Sequence, residues 1–141
     1  MPKVVTGCAC VWVVLNVGAL CLAPQHTIEE LRGTWRGTSK CADLVAAPAC
    51  QDETVVYEFR NGDKAGTVTM AADKIVNGER VPMGDLTFVY DAPLACWRSD
   101  FESPRLKSRW CFTVQGNTLK GTATLLPGNQ VVRRINATRV P

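Results

Sequence analysis

The chain has the length and composition of one small globular domain. Its 141 residues are 46% hydrophobic and 21% charged, with no low-complexity run, which excludes a disordered or fibrous chain. The formal net charge of +3 is too small to indicate nucleic acid or an anionic membrane surface as a partner.

The first 23 residues have the pattern of a secretory signal peptide. Lys3 is followed by twenty residues without a charge, and small residues precede Pro24, as in cleaved export signals. We predict cleavage after Ala23, with Cys21 as the alternative, and a single mature domain over residues 24–141. That domain has 15 basic and 13 acidic residues, a net charge of +2. The protein is therefore expected to be secreted or periplasmic, with membrane contact only through the signal segment.

The predicted mature domain begins with a short helix and continues in strands. The sequence Thr27-Ile28-Glu29-Glu30 has the Thr-x-x-Glu form of a capping box, which predicts one short helix. After it, apolar and polar residues alternate between turn residues, which predicts strands. The predicted strands cover residues 32–40, 52–60, 67–72, 74–76, 79–81, 86–91, 94–101, 106–115, 118–126 and 130–140.

The connections between these strands predict how the sheet is ordered. They are too short for helical crossovers, so neighbours in sequence should be antiparallel neighbours in space. One face of each strand is apolar, and closing the sheet buries that face without leaving edge strands. The predicted fold class is therefore all-β, an antiparallel up-and-down β-barrel of eight to ten strands with a short N-terminal helix. An immunoglobulin-like sandwich is the alternative, but its Cys, Trp, Cys spacing is absent.

The first predicted strand carries a Gly-x-Trp motif, Gly33-Thr34-Trp35, directly after the helix. The motif resembles that of the lipocalin and calycin superfamily, and the longer string GTWRG is similar to the opening of nitrobindin-type barrels. The resemblance implies a barrel with Trp35 at its closed end and an arginine of the last strand packed across it. A nitrobindin-type barrel would carry a haem-ligating histidine on a late strand, whereas the one histidine here is His26. The last strand also lacks the Arg-x-Tyr that intracellular fatty-acid binders use on a ligand carboxylate.

Two arginines of the last predicted strand should face the barrel interior. If Ile135 and Ala137 face inward, alternation places Arg133 and Arg139 on the same face. The last strand pairs antiparallel with the first, so Arg139 is the predicted neighbour of Trp35 and the two close the barrel. Arg133 then lies nearer the other end. A buried guanidinium there needs an acceptor, either a protein carboxylate or the acid group of a ligand, unless it reaches a loop at the mouth and solvent.

Four cysteines remain in the predicted mature domain: Cys41, Cys50, Cys96 and Cys111. In an exported domain they suggest two disulfides, for which three connectivities exist. Local geometry favours the bonds Cys41–Cys50 and Cys96–Cys111, since the first pair spans a single loop and the second flanks a near-mirror, CWRSDFESPRLKSRWC.

The near-mirror predicts a register for one hairpin. Setting Cys96 opposite Cys111 places Trp97 opposite Trp110, and it makes most of the remaining cross-strand pairs favourable. The opposed Arg98 and Arg109 are the exception. In this register the disulfide lies outside the barrel and the tryptophans lie inside.

Alternation predicts two walls inside the barrel. The large-residue wall consists of Tyr57, Phe59, Phe88, Tyr90, Trp97, Phe101, Trp110 and Phe112. The small-residue wall consists of Ala72, Gly121, Ala123 and Ala137. A barrel of about eight strands is either filled by side chains or accepts one small ligand, and the small wall favours the ligand. The predicted ligand-binding residues are Tyr57, Tyr90, Trp97, Trp110 and Arg133.

No catalytic, metal or cofactor site is expected. His26 stands alone, so neither a Ser-His-Asp nor a Cys-His arrangement can be assembled. Two functions from different classes remain. The first is a secreted or periplasmic barrel that binds a small apolar or amphipathic molecule. The alternative is a protein-interaction module with a filled core, such as an inhibitor of an exported hydrolase, for which the clamped apolar loop 41–50 is pre-organised; that disulfide otherwise merely orders a long connection.

Overall fold

The structure is a computed structural model and describes residues 26–141. The predicted signal peptide, residues 1–23, lies outside the described residues. One helix is followed by eight strands: α1 Ile28–Leu31, β1 Gly33–Cys41, β2 Glu53–Asn61, β3 Thr67–Val76, β4 Glu79–Asp91, β5 Cys96–Ser103, β6 Leu106–Gln115, β7 Thr118–Leu125 and β8 Gln130–Arg139. Each strand pairs antiparallel with the next and β8 pairs with β1, closing the barrel. The predicted up-and-down barrel is thus confirmed, with eight strands.

The two ends of the barrel differ. At the helix end, where β1 begins and β8 ends, α1 buries Leu31 beneath the strands. The helix forms where predicted, but the side chain of Thr27 makes no capping hydrogen bond. The Glu30 carboxylate instead accepts a hydrogen bond from the indole N–H of Trp97 at 2.9 Å. At the open end β1 ends at Cys41, β8 begins at Gln130, and no helix among the described residues covers the strands.

The middle of the barrel is filled by an aromatic cluster of Tyr57, Phe59, Phe88 and Phe112, all fully buried. Phe112 lies at the centre, with its ring centroid 5.3 Å from that of Phe88 and 5.9 Å from that of Phe59. Aromatic pairs at such separations add to the free energy gained from burying their area. These rings come from β2, β4 and β6, so the cluster ties together strands that are not hydrogen-bonded neighbours.

The predicted register of the β5–β6 hairpin is wrong by two residues. Cys111 lies opposite Arg98 and Trp110 lies opposite Ser99, so the tryptophans are not paired. The observed register places Pro104 at the first central position of a two-residue turn, where its fixed φ is favourable.

The observed register also pairs opposite charges where the near-mirror had opposed two arginines. Asp100 lies opposite Arg109 and accepts a hydrogen bond from its Nε at 2.9 Å. This hydrogen bond lowers the pKa of the Asp100 carboxyl. Arg98 in turn contacts Asp91 at 2.6 Å. Favourable charge pairs and turn geometry therefore outweigh the symmetry of the sequence.

Both predicted disulfides are present, Cys41–Cys50 and Cys96–Cys111. A shift of two residues keeps every side chain on its face, so Cys96 and Cys111 still meet on the outside, diagonally, with their Cα atoms 5.6 Å apart. That separation is typical of a disulfide. The face was therefore predicted correctly even though the register was not.

We expect the variant Cys96→Ser with Cys111→Ser to lose about 3 kcal/mol of unfolding free energy, since the bond closes a loop of 15 residues and so restricts the unfolded chain. Urea unfolding followed by circular dichroism measures this loss, and reducing the parent protein should lower its stability in the same direction. Peptide mapping of the unreduced parent that joined Cys41 or Cys50 to Cys96 or Cys111 would contradict the pairing.

The barrel has one short seam, between β4 and β5. These strands share only three residue pairs, Val89 with Arg98 to Asp91 with Cys96, whereas the other neighbouring strands share seven to ten. β4 also carries a bulge where its register with β3 shifts, at Gly84, whose φ is +125°. Toward the open end β4 and β5 therefore separate and leave a side opening in the wall.

Candidate functional site

A cavity of about 350 Å³ occupies the open end of the barrel above the aromatic cluster. Its lining residues come from β2, β3, β4, β5, β6 and β8 and flank the side opening. They are Glu53, Tyr57, Met70, Ala72, Met83, Gly84, Asp85, Leu86, Phe101, Leu106, Ser108, Trp110 and Arg133. The volume is at the lower end of the range for small-molecule sites.

Two other depressions, of about 410 and 440 Å³, lie along the outer surface. Both share Arg134, Ile135 and Asn136 of β8, and residues of the adjoining strands and loops complete them. They are larger than the open-end cavity, but they lie outside the barrel and lack its enclosed apolar wall. The open-end cavity is therefore the candidate site.

The wall of the cavity is mostly apolar. Met70 and Ala72 face inward from β3, where alternate residues are buried. Trp110 faces them from β6 and packs its ring 6.3 Å from that of Phe112. At the rim the ring of Phe101 is 41% exposed, beside the opening between β4 and β5. Such a wall accepts an apolar group and removes it from water.

The polar part of the cavity is built around Arg133. Its Nη1 donates hydrogen bonds to Ser39 Oγ at 3.1 Å and to the Gln51 carbonyl oxygen at 3.2 Å. The same nitrogen lies 3.4 Å from Oε2 of Glu53. The protein thus supplies the acceptor that a half-buried guanidinium needs, through a carboxylate on β2, two strands away from β8.

Tyr57 forms the boundary between the polar group and the aromatic cluster. Burial raises the pKa of its phenol far above the ordinary value, and a hydrogen bond with Ser39 offsets only part of this rise. The phenol therefore stays protonated at physiological pH and is a neutral hydrogen-bonding group on the cavity floor.

The five predicted ligand-binding residues do not come together. Tyr57, Trp110 and Arg133 line the cavity. Tyr90 and Trp97 lie at the helix end instead, where the ring of Tyr90 stacks on His26 at 4.2 Å. Alternation fixes which face of a strand a residue occupies but not its height along the barrel axis, and the aromatic cluster separates the two heights.

Trp35 and Arg139 meet at the helix end. The Arg139 guanidinium carbon lies 4.2 Å from the centre of the Trp35 ring. Its terminal nitrogens donate to the carbonyl oxygens of Arg32 and Glu30, at 2.6 and 2.7 Å. The Gly33 of the Gly-x-Trp motif has a φ of +122°, and a Cβ there would lie 2.9 Å from Nη1 of Arg139. Because Gly33 has no side chain, the Arg139 guanidinium can lie against the backbone at this position.

The predicted small-residue wall is only partly open. Ala72 lines the cavity, but a methyl group at Gly121 would overlap the ring of Phe112, which lies opposite it on β6. Phe112 therefore fills the space that Gly121 leaves. A substitution at Gly121 would displace this ring rather than fill a cavity.

Sequence reasoning missed Glu53 and Ser39 as members of the site. Both could have been found by alternation, because Ser39 follows Trp35 and Gly37 on the inward face of β1 and Glu53 precedes Val55 and Tyr57 on that of β2. Their polarity led away from an inward assignment. The indication in the sequence was that Glu53, an acid, falls on the face of β2 whose other residues are apolar and point inward.

Two further observations concern residues 26–141 alone. No group of three or more His, Cys, Asp or Glu side chains there is placed to hold a metal ion. The one helix described there, α1, is not long and apolar enough to cross a membrane.

Comparison with known proteins gives a structural likeness but no sequence family. No protein-family model matches the chain, and no curated protein matches it. Among solved structures, fatty-acid-binding protein 1 of Echinococcus granulosus is similar, with a TM-score of 0.52 and 13% sequence identity, over 80% of this chain and 99% of that one. At this identity the likeness concerns the fold. It agrees with the predicted antiparallel up-and-down β-barrel, which the strand order of this chain shows directly.

Proposed function

We propose that the protein binds one small apolar or amphipathic molecule in the cavity at the open end of its barrel. The observation that carries the proposal is the cavity itself, about 350 Å³ with an apolar wall and a small polar group at Arg133. Apolar walls with a few polar groups that orient a ligand are the common form of small-molecule sites. The fold likeness to a fatty-acid-binding protein supports the same class of function.

The proposed binding site has a polar part and an apolar part. An apolar tail would lie against Met70, Ala72 and Trp110, and it would reach the cavity through the opening between β4 and β5. The head group would lie near Tyr57 and Arg133. Trp97 and Tyr90 have no part in it, because they lie at the helix end.

The variant Ala72→Leu tests the proposal, since the added methyl groups would occupy the cavity. We expect the parent to enhance the fluorescence of Nile red, an uncharged apolar dye, and Ala72→Leu to weaken dye binding at least about tenfold, because the leucine takes volume from a ligand of limited size. Ala71→Leu is the matched control, because Ala71 neighbours it on the opposite face of β3. A parent that does not bind the dye, or two variants that bind it equally, would contradict the proposal.

We also propose that the protein acts in an oxidising compartment, secreted or periplasmic. The two disulfides support this, since such bonds persist mainly outside the cytosol. The signal-peptide pattern of residues 1–23 supports it independently.

A protein-interaction function is the second candidate, favoured by the loop between β1 and β2. The disulfide Cys41–Cys50 joins the two ends of this loop. Within the loop, Leu44 is 60% exposed to solvent and Val45 is 95% exposed. Asp43 Oδ1 accepts hydrogen bonds from the backbone N–H groups of Val45 and Ala46, which fixes the loop conformation. A rigid apolar loop docks with little loss of conformational entropy. This candidate gains if the parent binds no apolar dye.

A further inference from the structure

We propose that Glu53 makes the cavity selective for amphiphiles with an uncharged hydroxyl head group and excludes carboxylic acids. This inference rests on the proposed ligand-binding function and names the class of ligand. It departs from what a lone arginine in a lipid-sized cavity would suggest, namely a site for an acid.

The charge of Arg133 is already neutralised within the cavity. Its Nη1 lies 3.4 Å from the Glu53 carboxylate, and the two side chains are similarly protected, with 20% and 19% of their surface exposed. Oε1 of Glu53 also lies 3.9 Å from Nζ of Lys74, which holds the carboxylate between two cations. Lys74 is not among the residues that line the cavity, so Arg133 and Glu53 present a pair with no net charge to a ligand.

A ligand carboxylate would gain little from this pair. To reach Arg133 it would have to approach the Glu53 carboxylate as well, and repulsion between like charges a few ångströms apart would offset the attraction. Asp85, the remaining charged residue of the lining, adds no positive charge and pairs outside with Arg60 at 3.0 Å. The acid would thus lose its hydration without gaining a cation whose charge is still uncompensated.

A cationic head group is disfavoured for the converse reason. It would approach Glu53, but Arg133 lies beside that carboxylate and Lys74 contacts its other oxygen. A charged ligand of either sign would therefore meet only opposite charges that are already ion-paired within the protein. The site instead offers neutral hydrogen bonds.

A hydroxyl matches the neutral groups that remain. The protonated phenol of Tyr57 can donate or accept a hydrogen bond. The N–H groups of Arg133 other than Nη1 have no hydrogen-bond partner within residues 26–141, so they can donate to a ligand oxygen. A hydroxyl group both accepts and donates, so it can bond to either of these groups without disturbing the ion pair. The small volume of the cavity favours a single short alkyl chain.

The test compares three ligands with the same chain length: decanol, decanoic acid and decylamine. Each displaces Nile red from the parent protein at pH 7.5, where the acid and the amine are charged. We expect decanol to bind at least about tenfold more tightly than either charged ligand, because its head group carries no charge to be desolvated. A parent that binds decanoate most tightly would overturn the selectivity while leaving the binding function intact. A parent that binds neither the dye nor any of the three contradicts both.

The variant Glu53→Gln identifies the residue responsible. Removing its charge leaves Arg133 unneutralised, so decanoate affinity should rise at least about tenfold, while decanol affinity changes little. Glu58→Gln is the matched control, because Glu58 lies on the outward face of the same strand, where it pairs with Arg80. If decanoate affinity is unchanged in Glu53→Gln, or rises equally in both variants, the role of Glu53 is wrong. If Glu53→Gln does not fold, the proposed selectivity is tested by the relative affinities of decanol, decanoic acid and decylamine for the parent protein.

Discussion

Replacing Trp35 by alanine should lower the free energy of unfolding by about 3–5 kcal/mol, the usual cost of removing a large buried side chain. Trp35 is fully buried, and its indole N–H donates a hydrogen bond to the Leu31 carbonyl oxygen at 2.8 Å. The change also removes the ring beneath the Arg139 guanidinium. That guanidinium would then keep its hydrogen bonds to Arg32 and Glu30 over an empty space.

Urea unfolding followed by circular dichroism measures this loss. Domains of this size have about 5–15 kcal/mol of stability in total, so a marginal parent would leave Trp35→Ala unfolded. Trp35→Phe is the graded companion, because it keeps most of the ring volume but deletes the hydrogen bond to Leu31, and we expect an intermediate loss. If Trp35→Ala unfolds at the same urea concentration as the parent, the contact between Trp35 and Arg139 does not stabilise the closed end of the barrel.

Phe112→Ala should lower the free energy of unfolding by a similar amount, about 3–5 kcal/mol, but for a different reason. Phe112 contacts three other rings of the aromatic cluster and covers the backbone at Gly121. Without it, the small-residue face of β7 would border an empty apolar space. Cavities lined by apolar groups stay dry and bind small apolar molecules, so the cavity at the open end should extend toward the helix end.

The same urea experiment, together with Nile red binding, measures both effects. Phe101→Ala is the control with the same chemical change, at a ring that is 41% exposed on the rim, and we expect it to cost less than 1 kcal/mol, as surface changes usually do. Equal losses from the two variants would mean that the middle of the barrel is not tightly packed.

The fold could be predicted because a strand period of two is a strong constraint. Each inward assignment used for Tyr57, Phe59, Phe88 and Phe112 holds in the structure, and a closed sheet is the simplest way to bury so many one-sided strands. Alternation alone predicted eight to ten strands rather than a single number. The short segments around Asn77 and Gly78 continue β3 and β4 rather than forming a separate hairpin.

Register and height along the barrel could not be predicted, since both depend on contacts between residues distant in sequence. The symmetry around Pro104 suggested one register, whereas the turn and the charge pairs of Asp100 and Arg98 select another. For the same reason Trp97 was assigned to the ligand site, although it packs beside α1 and bonds to Glu30. The period-two alternation of a strand shows which face of the sheet a side chain occupies, but it does not show which residues of other strands that side chain contacts.

The short seam between β4 and β5 bears on self-association. A closed barrel has no free strand edges, but here the open-end parts of both strands keep backbone groups without a strand partner, and such edges can join those of another molecule. β4 carries features that oppose this joining. Pro82 removes one N–H donor, the bulge at Gly84 bends the strand, and Glu79 and Arg80 place charges beside it. The barrel can therefore remain open at one side for a ligand without aggregating through that opening.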